Sequence, residues 1–154
     1  MAVLLVGLSG DLSAAIAARL LEQGDEVRAV TDDPEVGARL KMMGVKIAAG
    51  DPSDLDLIER AATGARTVVV DSYSASLAEA LEPSTRTIVI SARSPGEQPG
   101  ADTVVLVVGR SLFGRPRVAL ERLAAAVDAA DDAEGIGGTI VDLTRPNGTA
   151  SLGF

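Results

Sequence analysis

Gly7, Gly10 and Ser13 recur at intervals of three residues near the start of the chain, in the segment Gly7-Leu-Ser-Gly10-Asp-Leu-Ser13. The motif follows the continuously apolar run at 2–6 and precedes an amphipathic stretch, so it is predicted to be a strand-to-helix turn. In such a turn Gly7 allows a tight bend, and Gly10 lets a pyrophosphate approach backbone N–H groups at the positive end of the helix. The motif therefore predicts a nucleotide-binding loop.

A purely structural explanation of the same motif stays open. Any strand-to-helix turn favours glycines, and either Ser9 or Asp11 is a suitable N-cap for the helix. The carboxylate of Asp11 would lie near the phosphates and repel them. Ser13 is also bulkier than the glycine or alanine usual at the position that packs on the first strand.

Acidic residues end the second predicted strand, at Thr31-Asp32-Asp33. A carboxylate here can accept hydrogen bonds from both ribose hydroxyls, whereas a 2′-phosphate would meet two negative charges. If a dinucleotide binds, NAD is therefore preferred over NADP. The alternative is that Asp32 and Asp33 form a polar turn that caps the second helix.

The third predicted strand is followed by Gly50-Asp51-Pro52. Asp51 is a candidate acceptor for an adenine amino group, and Pro52 would shape the wall of that pocket. A loop acid that bonds its own backbone is the local alternative for Asp51.

Apolar runs alternate with helical periodicities from end to end of the chain. The predicted strands are 2–6, 26–30, 45–48, 67–71, 87–91, 103–108 and 139–143; the predicted helices are 11–23, 34–43, 53–63 (with Ser53 as its cap), 74–81 and 116–131. This alternation implies an α/β fold, a single doubly wound parallel sheet of Rossmann type with six to seven strands. The domain is predicted to span 1–144, followed by an irregular C-terminal tail at 145–154.

Four segments together resemble the atypical short-chain dehydrogenase/reductase group, which includes NmrA-like and NAD-dependent epimerase/dehydratase-like proteins. They are Gly7-x-x-Gly10-x-x-Ser13, Glu26-Val-Arg-Ala-Val30, Val45-x-x-x-x-Gly50-Asp51 and Gly64-Ala-Arg-Thr-Val-Val-Val70, with a weaker likeness at 104–114 and 138–144. The resemblance implies a Rossmann fold that binds NAD(P). The cofactor-facing positions that it implies are Gly7, Ser9, Gly10, Leu12, Asp32, Asp51, Pro52 and Ser72.

The active site of that group is a Tyr-x-x-x-Lys pair after the fifth strand, in which lysine and cofactor lower the pKa of the phenol. Here no tyrosine or lysine follows Ser91. Tyr73 follows the fourth strand, but Leu77 stands where its lysine would be needed. Tyr73 and Ser91 are the remaining catalytic candidates, and a serine alone orients a carbonyl without exchanging its proton at neutral pH.

These features favour an NAD(P)-binding protein that acts mainly by binding, as a sensor, regulator or partner subunit, rather than as a stand-alone oxidoreductase. A small NAD(P)-dependent oxidoreductase or epimerase that uses Tyr73 and Ser91 is one alternative. An interaction subunit that takes no cofactor is another. A second resemblance, to the NAD-binding domains that regulate potassium transport, is carried by Gly50-Asp51 and the segment at 100–105, and it implies sensing without turnover.

The composition narrows the range of functions. The chain of 154 residues contains no cysteine and no histidine, which excludes thiolate nucleophiles, imidazole acid–base chemistry and zinc or iron–sulfur sites, so no metal site is expected. A formal net charge of −8 without a basic cluster argues against nucleic acid as a partner. No targeting segment and no run of about 20 apolar residues is present, so no membrane partner is expected and a cytoplasmic location is predicted.

Two further segments are candidate contacts for a protein partner or for a second copy of the chain. The helix predicted at 116–131 is rich in alanine, which permits close helix packing, although packing on its own sheet explains the same pattern. The C-terminal tail ends in Leu152 and Phe154 on a small-residue stem, and either docking on a partner or fraying accounts for it.

Overall fold

A computed structural model describes residues 2–71, 75–82, 84–96, 98–109, 118–133 and 136–144. Strands and helices alternate throughout this part of the chain. The strands are β1 (Ala2–Val6), β2 (Glu26–Thr31), β3 (Lys46–Ala49), β4 (Ala65–Val70), β5 (Arg86–Ser91), β6 (Thr103–Val107) and β7 (Thr139–Asp142). The helices are α1 (Gly10–Glu22), α2 (Pro34–Met43), α3 (Leu55–Ala61), α4 (Ala75–Ala80) and α5 (Leu120–Asp132).

The strands form one parallel sheet of seven strands in the order β3-β2-β1-β4-β5-β6-β7. The predicted doubly wound α/β architecture of Rossmann type is therefore confirmed. The order of the strands reverses at β1, which lies between β2 and β4. In open sheets of this kind, ligands bind beyond the carboxyl ends of the strands at such a reversal.

Both faces of the sheet are covered, because side chains that alternate along each strand enter two different cores. In β1, Val3 and Leu5 pack with α1, α2 and α5, while Leu4 packs with α3 and α4 on the other face. These side chains are at most 1% exposed. Burying each one stabilises the fold by about 1.5–3 kcal/mol, and this rigid sheet holds the loops at its carboxyl edge.

Two helices, α3 and α5, begin two or more residues later than their predicted ranges. The cap of α3 is Asp54 rather than Ser53, because the Asp54 carboxylate accepts hydrogen bonds from the backbone N–H groups of Asp56 (3.1 Å) and Leu57 (3.3 Å). Helix α5 begins at Leu120 and not at 116, since Ala119 before it has an extended backbone with ψ of 143°.

The alanine-rich face of α5 is used inside the fold. Ala124, Ala126 and Ala130 are buried at 3% exposure or less in the core cluster that also contains α1. The intramolecular explanation of these alanines is therefore the one that the structure supports. The start of the predicted helix at 116 and the whole tail at 145–154 lie outside the described residues.

No helix within the described ranges has both the length and the apolar character needed to cross a membrane. In the same part of the chain, no three acidic side chains come together in a way that could hold a metal ion.

Candidate functional site

The turn after β1 brings Gly7 to the carboxyl edge of the sheet, at the reversal of strand order. Its φ of +67° lies in the left-handed region, which favours glycine. Its amide donates a hydrogen bond to the carbonyl of Val30 at 3.3 Å, which ties the turn to β2. A Cβ on Gly7 would lie 3.1 Å from Cβ of Pro52, so the loop after β3 approaches this turn closely.

Helix α1 begins at this turn and leaves two backbone donors open. Ser9 is its N-cap: the Ser9 hydroxyl accepts a hydrogen bond from the Leu12 amide at 3.3 Å, and its carbonyl accepts one from the Ser13 amide at 2.9 Å. The amides of Gly10 and Asp11 precede these, and none of the described residues accepts a hydrogen bond from them. Open N–H groups at the positive end of a helix are donors for an anion.

The first helical turns of α2 and α3 differ from that of α1. At α2 the Asp33 carboxylate accepts from the amides of Glu35 and Val36, at 2.9 Å and 3.4 Å. At α3 an aspartate occupies the cap as well. These two helices thus place a negative charge of their own at the positive end, whereas the cap of α1 is the neutral Ser9.

Asp11 is held by a partner on the neighbouring helix. Its carboxylate Oδ1 lies 2.8 Å from Nη1 of Arg39 in the second turn of α2, and both side chains are more than half exposed. The charge of Asp11, which counted against an anion at this turn, is therefore compensated by a guanidinium. No local sequence pattern indicates this pair, because its members are 28 positions apart.

Gly10 has a packing role in addition to any role in binding. A Cβ at this position would lie 3.1 Å from Cγ2 of Val36, so the absence of a side chain lets α1 approach α2. Leu12 is 6% exposed within the apolar core, and its amide is bonded to the cap. The structure therefore does not bring Leu12 to the open edge of the sheet, where the resemblance had placed it.

The two acids after β2 have different surroundings. Asp33 caps α2 as described above, and its own amide donates to the Thr31 hydroxyl at 3.1 Å. Asp32 is exposed, and its carboxylate has no hydrogen-bond or ion-pair partner within the described residues. Capping thus explains Asp33 and leaves the carboxylate of Asp32 open to a ligand.

Asp51 is oriented by the residue two positions further on. Its Oδ1 accepts hydrogen bonds from the amide of Ser53 at 2.8 Å and from the Ser53 hydroxyl at 2.7 Å. These bonds lower the pKa of the Asp51 carboxyl below its ordinary value, because they stabilise the ionised form. The local bond proposed as the alternative for Asp51 is present, and Ser53, which was predicted only as a cap, is its donor.

Two clefts open on either side of the loop that carries Gly50 and Asp51. One has a volume of about 440 Å³ and is lined by the Gly7 turn, Asp51, Pro52 and the end of β4. The other, of about 640 Å³, lies between α2 and the ends of β2 and β3 and includes Asp32, Gly37 and Lys41. Both clefts lie at the carboxyl edge of the sheet, and Gly7, in the turn that leads into α1, lines the first of them.

Of the two catalytic candidates, the structure describes Ser91 alone. Ser91 ends β5 at the correct edge, but its hydroxyl donates to the carbonyl of Arg93 at 2.7 Å. Its proton is therefore engaged in a local turn. Tyr73 and Ser72 lie outside the described residues.

Known structures with this fold match almost the whole chain. ChuY, an anaerobillin reductase from Escherichia coli O157:H7, is 14% identical and superimposes with a TM-score of 0.65 over 92% of this chain and 96% of its own. A short-chain dehydrogenase from Streptomyces avermitilis is 16% identical, with a TM-score of 0.62 over 98% of this chain and 90% of its own. A Thermus thermophilus protein, TT0495, is 16% identical, with a TM-score of 0.68 over 97% and 100%.

No protein-family model and no curated protein sequence matches the chain. At identities of 14–16% the structural matches establish the fold. The resemblance to short-chain dehydrogenases inferred from the sequence motifs is thus confirmed at that level.

Proposed function

We propose that the carboxyl edge of the sheet binds a nicotinamide dinucleotide. The observation that carries the proposal is the pair of open amides at Gly10 and Asp11, at the point where the strand order reverses. A diphosphate needs hydrogen-bond donors and a positive potential, and the first turn of α1 offers both. The compensation of Asp11 by Arg39 removes the main electrostatic obstacle.

The ligand is proposed to lie across the two clefts. Its diphosphate accepts hydrogen bonds from the amides of Gly10 and Asp11, close to Gly7. Asp32 accepts hydrogen bonds from the hydroxyls of the adenosine ribose, and the ionised Asp51 accepts one from the adenine amino group beside Pro52. When bound, the nicotinamide ring supplies the capacity to accept or donate a hydride.

NAD is proposed to bind more tightly than NADP. The open carboxylate of Asp32 is a good acceptor for ribose hydroxyls but repels a 2′-phosphate. Asp33 adds a second negative charge next to it, although its oxygen is engaged with the α2 amides. Lys41 in the same cleft is the single basic side chain among the described lining residues.

Binding rather than turnover is proposed as the main activity, that is, a sensor, a regulator or a partner subunit. The engaged hydroxyl of Ser91 supports this, as does the lack of a lysine after it in the sequence. A small oxidoreductase is the second candidate, supported by the match of ChuY, a reductase, over 96% of its own length. NADH oxidation across a panel of carbonyl substrates, repeated with Tyr73→Phe, separates the two candidates.

The proposal is tested by removing one amide donor from the first turn of α1. Asp11→Pro and Asp11→Ala both lose the carboxylate, but only proline also loses the N–H, and the first helical turn tolerates proline. In calorimetric titrations with NAD, we expect Asp11→Pro to bind about tenfold more weakly than Asp11→Ala, because a hydrogen bond to a charged group contributes about 1.5–3 kcal/mol.

Thermal unfolding with NAD, NADH, NADP, NADPH and ADP accompanies this titration. A ligand at 100 times its dissociation constant stabilises a protein by about 2.7 kcal/mol, so binding of the folded chain is readily seen. Equal affinities of the two folded variants would contradict the placement of the diphosphate. The absence of a shift with every nucleotide would refute the proposed function.

A further inference from the structure

The ion pair between Asp11 and Arg39 joins the first turn of α1 to the second turn of α2. The contact is close, at 2.8 Å, although the side chains are 74% and 54% exposed. The two helices are in register for it, since Val36, three residues before Arg39, packs where Gly10 lacks a side chain. The carboxylate is therefore directed towards the flank of α2.

Without this partner, the carboxylate of Asp11 would remain beside the open amides of its own helical turn. A negative charge is favoured at that end of a helix, so the side chain would compete with any anionic ligand for the same potential. We infer that Arg39 is a positioning residue for dinucleotide binding, which neutralises Asp11 and holds it against α2. The inference rests on the proposed function.

If the pair of Asp11 and Arg39 acted on stability alone, its removal would lower the free energy of unfolding and leave the affinity for the ligand unchanged. Exposed ion pairs contribute little to the free energy of unfolding. Removal of Arg39 should accordingly leave the melting temperature within about 1–2 °C, well below the shift of about 4 °C or more that a substantial loss of stability gives. The effect should appear instead in the dissociation constant of the ligand.

The test is a double-mutant cycle with Arg39→Ala, Asp11→Asn and the double variant, measured by calorimetric titration with NAD at low ionic strength. We expect Arg39→Ala to weaken binding about tenfold, because a dianionic diphosphate then meets an uncompensated carboxylate a few ångströms away. In the Asp11→Asn background, the same substitution should change the affinity by less than about twofold, since no charge is left to compensate.

Lys46→Ala is the matched control, because it removes one positive charge at the opposite edge of the sheet, where Lys46 pairs with Glu26. It should leave the affinity unchanged. If Lys46→Ala and Arg39→Ala lowered the affinity for NAD equally, the change in net charge would explain the effect, and the inference would be overturned.

The remaining outcomes are also decisive. Equal weakening by Arg39→Ala in both backgrounds would mean that Arg39 contacts the ligand directly, which overturns a role through Asp11. No weakening in either background would overturn any role in binding. If the unsubstituted chain binds no dinucleotide, the proposed function itself is refuted. That result is distinct from a chain that binds NAD with an affinity that does not depend on Arg39.

Discussion

At the amino edge of the sheet, where the parallel strands begin, Arg66 of β4 binds the fully buried carboxylate of Asp131. At the carboxyl edge, by contrast, the amides of Gly10 and Asp11 have no acceptor among the described residues. The hydroxyl of Thr67 donates a further hydrogen bond to the carboxylate of Asp131. At the amino edge the buried carboxylate of Asp131 is thus paired with side chains of β4.

The C-terminal ends of two helices at the amino edge are also satisfied within the chain. At the amino edge, Arg86 donates to the carbonyls of Ala130 and Asp131 at the end of α5, and Arg28 donates to those of Ala61 and Thr63 at the end of α3. The last backbone carbonyls of a helix have no partner within the helix, and here they accept hydrogen bonds from guanidinium groups. Because these helix ends are satisfied within the chain, the open amides at the start of α1 and the open carboxylate of Asp32 are the places where a ligand has more to contribute.

Arg66→Ala should produce the largest effect and should act on stability alone. Among the described residues, it leaves the buried Asp131 carboxylate with the Thr67 hydroxyl as its one side-chain partner. Breaking a buried ion pair in this way costs about 3–5 kcal/mol. Urea denaturation measures the loss. The folded fraction at low temperature should still bind NAD with unchanged affinity, and a weakened affinity would mean that the two edges are coupled.

Asp33→Ala should have an intermediate effect, because an N-cap is lost at α2. The expected loss is about 1 kcal/mol, while Asp33→Asn retains the cap and should lose much less. This pair isolates the one acid after β2 that the fold uses for itself. Similar losses in both variants would show that charge rather than capping is what matters at Asp33.

Asp32→Asn gives the opposite result to Asp33→Ala if the two neighbours divide their roles as the structure indicates. Its stability should stay within about 0.5 kcal/mol of the unsubstituted chain, as for an exposed side chain without partners. The affinity for NAD should fall several-fold, and the preference over NADP should narrow because one repelling charge is removed. Titrations with both dinucleotides measure this, and an unchanged ratio of the two affinities would contradict the role of Asp32.

Much of the fold follows from local patterns, since short apolar runs and helical periodicities define all seven strands to within one or two residues at each end. The start of α5 was predicted four residues too early, because Pro116 suits a first helical position but the backbone turns helical only after Ala119. At α2 the signal was present: Asp33 directly precedes Pro34, and an aspartate before such a proline is a natural cap.

The candidate site depends more on contacts that are distant in sequence. Ser9 and Asp11 are equally plausible caps by residue type, and only the geometry of the turn selects Ser9. The pairing of Asp11 with Arg39 and the packing of Gly10 on Val36 both require α2 to lie beside α1, which no local pattern encodes. Sequence therefore located the loop, but tertiary packing determines which of its groups remain open.

Asp132→Asn should have the smallest effect and probes the acidic side of the amino edge. Partial desolvation, followed by the nearby carboxylates of Asp128 and Asp131, raises the pKa of the Asp132 carboxyl above its ordinary value, against the opposing charge of Arg66. A raised pKa in the folded state favours folding below the unfolded pKa, and that contribution is lost as the pH rises through the folded pKa. At pH 7 the ionised Asp132 therefore weighs against the folded state.

Removing this charge should make Asp132→Asn slightly more stable at pH 7, by at most about 0.5 kcal/mol, since the side chain is 63% exposed and solvent screens the repulsion. The gain should shrink as the pH falls through the raised pKa of the folded state, because the Asp132 carboxyl then becomes neutral in the folded chain. Urea denaturation between pH 3.5 and pH 7 measures it, with Asp32→Asn as the control that removes one charge at the other edge. A gain of equal size in the control would assign the effect to net charge. A gain confined to Asp132→Asn and to neutral pH would show that Arg66 does not fully compensate the charge of Asp132.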